Sequence, residues 1–241
     1  MLNISDLTKK FDEKVAVDDV SLQIKPGEIF SLIGPNSSGK TTIVKTIAGL
    51  LHPDAGVVTV GGNDVVAKPL ETKSVIGYIP DEPVVWGGMT GEEFLHFVGA
   101  LYGLSESLRT KKVAELLPVF SLQGLEKEYF ENYSRGNKQK FTILAALLHE
   151  PKLLLIDEPI VGLDPESAAI AKTQFTQFAK QGGAVLLVTH TLSVAEDIAT
   201  RIGVLKEGKL LSTGTLSELR KKANAGSTAT LEEIYAVLTH A

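Results

Sequence analysis

The sequence predicts an α/β fold, on three observations. An alternating stretch, "VDDVSLQI", and an apolar one, "EIFSLIG", lead into a glycine-rich turn followed by apolar residues at helical spacing, so strand, loop and helix stand in series. In the second half "KLLLID" and "GAVLLVTH" are short, wholly apolar runs on either side of a helical stretch, the pattern of strands buried on both faces of a parallel sheet. Between the halves, from Thr90 to about Glu150, the apolar spacing is helical throughout. With 241 residues, 44% of them hydrophobic, the chain can bury a full core.

Taken in order, Val20, Leu22 and Ile24 alternate in a half-buried strand closed by a Pro-Gly turn, and "EIFSLIG" is the buried strand after it. Ile43, Ile47, Leu50 and Leu51 place a helix from Lys40 to the neighbourhood of "HPDAG". "GVVTVGG" and "SVIGYIP" read as further strands, and Thr90 with Glu93 forms a capping-box pattern that opens the helical stretch. Beyond Pro151 come the strand "KLLLID", a helix from Ser167 to Lys180 and the strand "GAVLLVTH". "RIGVLKEGKLLSTG" reads as a hairpin turning at Glu207-Gly208, and Thr215 with Glu218 and Thr230 with Glu233 mark two terminal helices.

Composition narrows the function classes. A net charge of -5 argues against a broadly basic surface, so no nucleic acid is expected as partner. Absence of cysteine excludes disulfides, cysteine-ligated zinc and a cysteine nucleophile, and fits a cytoplasmic setting. The start "MLNISDLTKKF" has no apolar signal core, and the longest apolar runs are too short to span a bilayer. A role at a membrane therefore requires a partner.

The chemistry concentrates in a few stretches. "GPNSSGKT", Gly34 to Thr41, has two glycines bracketing four residues, then Lys and Thr, between a strand and a helix. Such a loop turns backbone N–H groups onto a phosphate, with Gly39 permitting close approach, Lys40 on the outer phosphates and the Thr41 hydroxyl on Mg²⁺. The ligand implied is a nucleoside triphosphate. "LLLIDE" places Asp157 at the carboxyl end of a buried strand, where ligand chemistry collects in such sheets; Asp157 can hold the metal and Glu158 can polarise the attacking water. His190 ends another strand, where a lone histidine is more often a hydrogen-bonded core or surface residue. "YSRGNKQK", residues 133–140, is a basic helix start whose unpaired N–H groups suit an anion, although alone it reads as a solvated cap.

Together, Phe11, "GPNSSGKT", "YSRGNKQK", "LLLIDEP", "VGLDP" and "VTH", in this order and spacing, resemble the ATP-binding cassette of ABC transporters across nearly the whole chain. The resemblance implies a P-loop NTPase (RecA-like) core with an N-terminal antiparallel β subdomain and an inserted α-helical subdomain: residues 1–88 with 151–241 as catalytic core, and 89–150 as the helical part carrying the signature motif. It implies ATP and Mg²⁺ as cofactors. Phe11 would stack on adenine, Gly34, Pro35, Asn36, Ser37, Ser38, Gly39, Lys40, Thr41 and Thr42 would form the phosphate loop, and Thr41, Asp81 and Asp157 would serve the metal. Glu158 would be the catalytic base, His190 would contact the γ-phosphate, and Lys40 would complete the catalytic set on the outer phosphates. Ser134, Gly136 and Asn137 of the signature, with Asp164 of "VGLDP" at the dimer interface, would complete the ATP site of a second cassette arranged head to tail. That second cassette would be another copy of this chain or a different one. Transport would run through separate transmembrane subunits, with the chain peripheral on the cytoplasmic face.

Three stretches depart from the commonest family pattern. Arg135-Gly136 replaces paired glycines with Asn137 following, Ser37 replaces a glycine, and Asp81 in "YIPDEP" replaces a metal- and water-contacting Gln. If Ser37 needs a left-handed backbone, the strain is on the order of 1 kcal/mol. The acid at 81, the form of "YSRGNKQK" and the tail "TLEEIYAVL" resemble cassettes serving ABC-2 type exporters. In the family, "EPVVWGGMT" faces a cytoplasmic loop of the transmembrane subunit; packing of Trp86 under the helical part is the competing expectation. A GTPase is unsupported, because "NKQK" has Lys140 where guanine reading needs Asp, and a small-molecule kinase would lack the signature and "VGLDP". The remaining alternative is a soluble ABC-type ATPase not engaged in transport, or a cassette that binds ATP and barely hydrolyses it.

Overall fold

The computed structural model describes residues 1–158 and 160–240. Its first layer is a four-stranded antiparallel sheet in the order β2-β1-β4-β5, built from β1 (Leu2–Phe11), β2 (Lys14–Ile24), β4 (Ala55–Val60) and β5 (Asn63–Asp64). Strand β1 is absent from the sequence expectations, and the reason lies in its register. A bulge with Asp6 at φ 53° separates Ile4 from Leu7, so the buried residues Leu2, Ile4 and Leu7 break the alternation of two that marks a strand.

The second sheet has six strands in the order β10-β9-β3-β8-β7-β6. Strands β3 (Ile29–Ile33), β6 (Ile76–Ile79), β7 (Leu153–Asp157), β8 (Ala184–Thr189) and β9 (Arg201–Lys206) are parallel to one another, and β10 (Lys209–Gly214) is antiparallel to β9. Strands β3, β7 and β8 are buried along their entire length, as their continuous apolar runs require. The β9–β10 turn falls at Glu207-Gly208, both left-handed with φ 50° and 80°, as a two-residue hairpin twisting with its strands demands.

Helix α1 (Lys40–Ile47) packs its Ile43, Val44 and Ile47 face into the core between the two sheets. It stops short of the expected end. Gly49 turns left-handed at φ 66°, its N–H bonds the Thr46 carbonyl and that of Leu50 bonds the Lys45 carbonyl, so the last carbonyls are satisfied and Leu50 is left exposed. A short α2 (Pro69–Lys73), not foreseen, precedes β6. Then follow α3 (Gly91–Leu101), α4 (Glu106–Leu116) and α5 (Arg135–Leu148), which pack about Phe94, Phe130, Tyr133 and Phe141; the Phe130 ring meets the other three edge-on at 4.9–5.5 Å. The Thr90–Glu93 capping box forms as expected. Helix α6 (Pro165–Lys180) begins two residues before Ser167 because Asp164 caps it and Pro165 occupies its first position. Helices α7 (Leu192–Ile198), α8 (Leu216–Lys222) and α9 (Leu231–His240) cover a third apolar cluster beside β9, with α8 and α9 opened by the Thr215–Glu218 and Thr230–Glu233 pairs. No helix among the described residues is long and apolar enough to cross a membrane.

Candidate active site

The turn from β3 to α1 is tight at both ends. Gly39 precedes α1 with φ 106°, and a methyl group there would lie 2.3 Å from the Ala16 carbonyl, so only glycine fits. Ser37 is left-handed at φ 63°, the conformation whose cost was anticipated for a residue with a side chain. Gly208 of the β9–β10 turn donates its N–H to the Ser38 carbonyl (2.9 Å), bracing the loop from below. Helix α1 has neither a side-chain cap nor an acid in its first turn, so its N-terminal N–H groups face the loop uncompensated and suit an anion. Lys40 Nζ folds back onto the carbonyls of Gly34 and Pro35, 2.8 Å from each. Burial lowers its pKa against the opposing pull of Glu158 and Asp157.

A cavity of about 480 Å³ opens over this loop. Asn36 to Thr42 form its floor, Phe11 one rim, and Asp81, Asp157, Glu158 and His190 the wall opposite. Strand order explains the convergence: β7 and β8 lie side by side next to β3, so residues after their carboxyl ends meet those after β3. Sequence reasoning missed Lys14 and Ala16, which also line the cavity because β2 begins where Phe11 pairs with Lys14. The signal was the strand β1 itself.

Asp157 is almost fully buried, and desolvation, followed by the charges of Asp81 and Glu158, raises its pKa to about 6 despite a hydrogen bond from the Thr41 side chain. Its Oδ2 is buried without a partner. An uncompensated carboxylate oxygen beside a threonine hydroxyl is a donor set suited to a hard divalent cation. Among the described residues no group of three or more His, Cys, Asp or Glu is placed to hold a metal ion by itself.

Glu158 is left-handed at φ 50° and its carboxylate is held on two sides. Thr189 donates its hydroxyl to Oε2 (2.9 Å), while the His190 N–H donates to Oε1 (2.6 Å) and His190 Nδ1 lies 2.6 Å from the same oxygen. His190 is therefore a direct partner of Glu158, and Thr189, not foreseen, is a second.

Ser134, Gly136, Asn137 and Asp164 do not line this cavity. Ser134 caps α5 by accepting from the Asn137 N–H (3.2 Å), and a methyl group on Gly136 would come within 2.7 Å of the Gly162 carbonyl, so the first turn of α5 lies directly on the 160–164 loop. Asp164 accepts from the Ser167 N–H (2.8 Å) and hydroxyl (2.7 Å) and pairs with Lys140 at 3.4 Å. Those hydrogen bonds, with Lys140 assisting, hold its carboxyl below the usual carboxylate range. Trp86 is not buried under the helical part. It packs edge-on against Phe97 (5.4 Å) and near Phe94 (6.3 Å) yet keeps 51% of its surface exposed.

A phosphate loop between strand and helix, a histidine ending the adjacent strand and acids ending the one beyond it define a P-loop ATPase of the cassette type. A model of the ABC transporter family matches residues 17–161, and the chain belongs to that family. It is 35% identical to the linearmycin resistance ATP-binding protein LnrL of Bacillus subtilis, over 91% of this chain and 70% of LnrL. Among solved structures, an ATP binding subunit of an ABC transporter superposes with a TM-score of 0.94 at 33% identity, covering 99% of both chains. The ATP-binding cassette MJ0796, solved as a dimer in a post-hydrolysis state with ADP and Pi, superposes with a TM-score of 0.82 at 26% identity, over 90% of this chain and 99% of that one. The chain is thus an ATP-binding cassette and an ATPase.

Proposed function

We propose that this cassette hydrolyses Mg²⁺–ATP in a head-to-tail dimer and drives export through separate transmembrane subunits, residing at the cytoplasmic face through them. The observation that carries the dimer is the division of the site: the phosphate loop, Asp157, Glu158 and His190 share one cavity, while exposed Ser134, with Gly136 and Asn137, lies outside it and meets no nucleotide bound there. Two such half-sites complete one another when Ser134 and Gly136 of one chain meet the γ-phosphate held by the other, with Asp164 at the interface. The ADP- and Pi-bound dimer of MJ0796 supports this arrangement.

Thr41 and Asp157 would hold the magnesium, with Asp81 beside it; bound there, the ion offsets phosphate charge that would otherwise repel these acids. In that setting Lys40 exchanges the Gly34 and Pro35 carbonyls for phosphate oxygens. The free N–H groups of α1 bind the phosphates, and Phe11 presents a half-exposed ring for adenine. Glu158, already oriented by Thr189 and His190, accepts a proton from the attacking water at a carboxylate oxygen, and His190 meets the γ-phosphate.

A groove of about 520 Å³ between the 80–86 segment and α3 exposes Val84, Trp86, Phe97 and Leu101. This apolar surface suits the cytoplasmic loop of a transmembrane partner, and residues 89–150 would move as a unit to carry it when ATP closes the dimer. Export is supported by the resistance function in the name of LnrL and by Asp81 with the "YSRGNKQK" segment. The test is capture of tagged Glu158→Gln protein from detergent-solubilised native membranes with ATP. Recovery of a multi-span membrane protein is expected; reproducible recovery of soluble proteins alone would refute the transport reading.

A further inference from the structure

Arg135 bridges parts of the molecule that the phosphate cavity does not otherwise join. It is the first residue of α5, its Nη2 donates to the backbone carbonyl of Asp81 (3.2 Å), and its aliphatic stem lies over Gly162, where an added methyl group would be 3.3 Å from Arg135 Cδ. The Asp81 side chain lines the nucleotide cavity, and its Oδ1 accepts from the Glu82 N–H (2.8 Å), which fixes the local turn and leaves the backbone carbonyl to Arg135. Further along α5, Lys140 pairs with Asp164 at the far end of the same 160–164 loop. The start of α5 is thus fastened to that loop by Lys140 and to the end of β6 by Arg135. A glycine at position 135 would leave the second tie unmade.

We propose that Arg135 is a positioning residue that couples the two ATP sites of the dimer. By holding Asp81 against the start of α5, it passes nucleotide arrival in its own cavity to Ser134 and Gly136, which face the partner's nucleotide. The proposal rests on the assignment of Asp81 to the nucleotide site. Its role is in cis, so it operates in a single chain before any dimer forms. An arginine that served only as a phosphate ligand in trans would have no effect there.

The chain carries its own reporter. Trp86 is the sole tryptophan, stands five residues beyond Asp81 in the same connection, and is half exposed, so its emission follows that segment. The experiment titrates magnesium AMP-PNP into dilute protein, shown to be monomeric by light scattering, and follows Trp86 emission in wild type, Arg135→Ala, Arg135→Lys and Asp81→Ala. Nucleotide affinity is measured separately by competition with a fluorescent nucleotide, and folding by circular dichroism. Arg135→Ala is expected to lose most of the saturating emission change, with little change in affinity. Arg135→Lys, which still donates to a carbonyl, restores most of it, and Asp81→Ala abolishes it. A full response in Arg135→Ala with loss in Asp81→Ala overturns the Arg135 assignment alone. A full response in Asp81→Ala overturns the Asp81 reading and the coupling together.

Discussion

His149 makes stability depend on pH in a way that can be worked from its surroundings. It lies just past the last turn of α5, its ring stacked on Tyr102 at 3.6 Å and 13°, with Nε2 3.0 Å from the Ile76 carbonyl at the start of β6 and Nδ1 buried without a partner. Burial lowers its pKa from 6.5 to about 4, with the Ile76 carbonyl opposing and Lys112 assisting. The folded state therefore binds fewer protons than the unfolded state between these values. The histidine's contribution is fully present above pH 6.5 and is lost as pH falls from there towards 4. For a full shift the loss at pH 5 is about 2 kcal/mol, and solvent screening of this partly exposed ring brings it nearer 1 kcal/mol. The urea midpoint should then fall by about 0.5 M between pH 7.5 and 5 through this group. His149→Gln keeps an N–H for the Ile76 carbonyl and carries no titrating group, so its midpoint should fall by that much less. Equal shifts in the two proteins would refute the account.

Three further outcomes follow from the site. Glu158→Gln should reduce ATP turnover by about 10²-fold or more while leaving nucleotide binding intact, read by phosphate release and equilibrium binding. Asp81→Gln removes a carboxylate from the phosphate cavity, so wild-type ATP affinity should depend more steeply on Mg²⁺ than that of the variant; titration calorimetry at stepped Mg²⁺ showing parallel dependence would contradict the placement of Asp81. Gly136→Ala forces a methyl group to 2.7 Å from the Gly162 carbonyl, so α5 and the 160–164 loop must separate. A melting temperature lowered by about 2–4 °C, the equivalent of ~1 kcal/mol, is expected, together with weaker ATP-driven dimer formation by light scattering.

Much of this molecule is visible along the chain because the relevant physics is local. Capping at Thr90, Thr215 and Thr230 needs only a hydroxyl and a glutamate three residues on, and the hairpin at Glu207-Gly208 needs only residues that tolerate positive φ. The phosphate loop is legible for the same reason, since Gly39, Lys40 and Thr41 act within one turn. Local reading fails where an irregularity interrupts the period, as the Asp6 bulge does in β1, or where the period runs past a stop, as Leu50 and Leu51 do beyond Gly49.

The order of motifs, the strand-loop-helix around Lys40 and the acids ending "LLLIDE" were determined by sequence alone, because each rests on residues a few positions apart. Only the tertiary structure decided which of them meet. Placing β8 between β3 and β7 brings Thr189 and His190 onto Glu158, and pairing β1 with β2 carries Lys14 to the cavity with Phe11. The start of α5 is kept outside that cavity and tied by Arg135 to the Asp81 carbonyl. Such neighbours are fixed by sheet order and helix packing, which join residues tens of positions apart and leave no period in the chain to read.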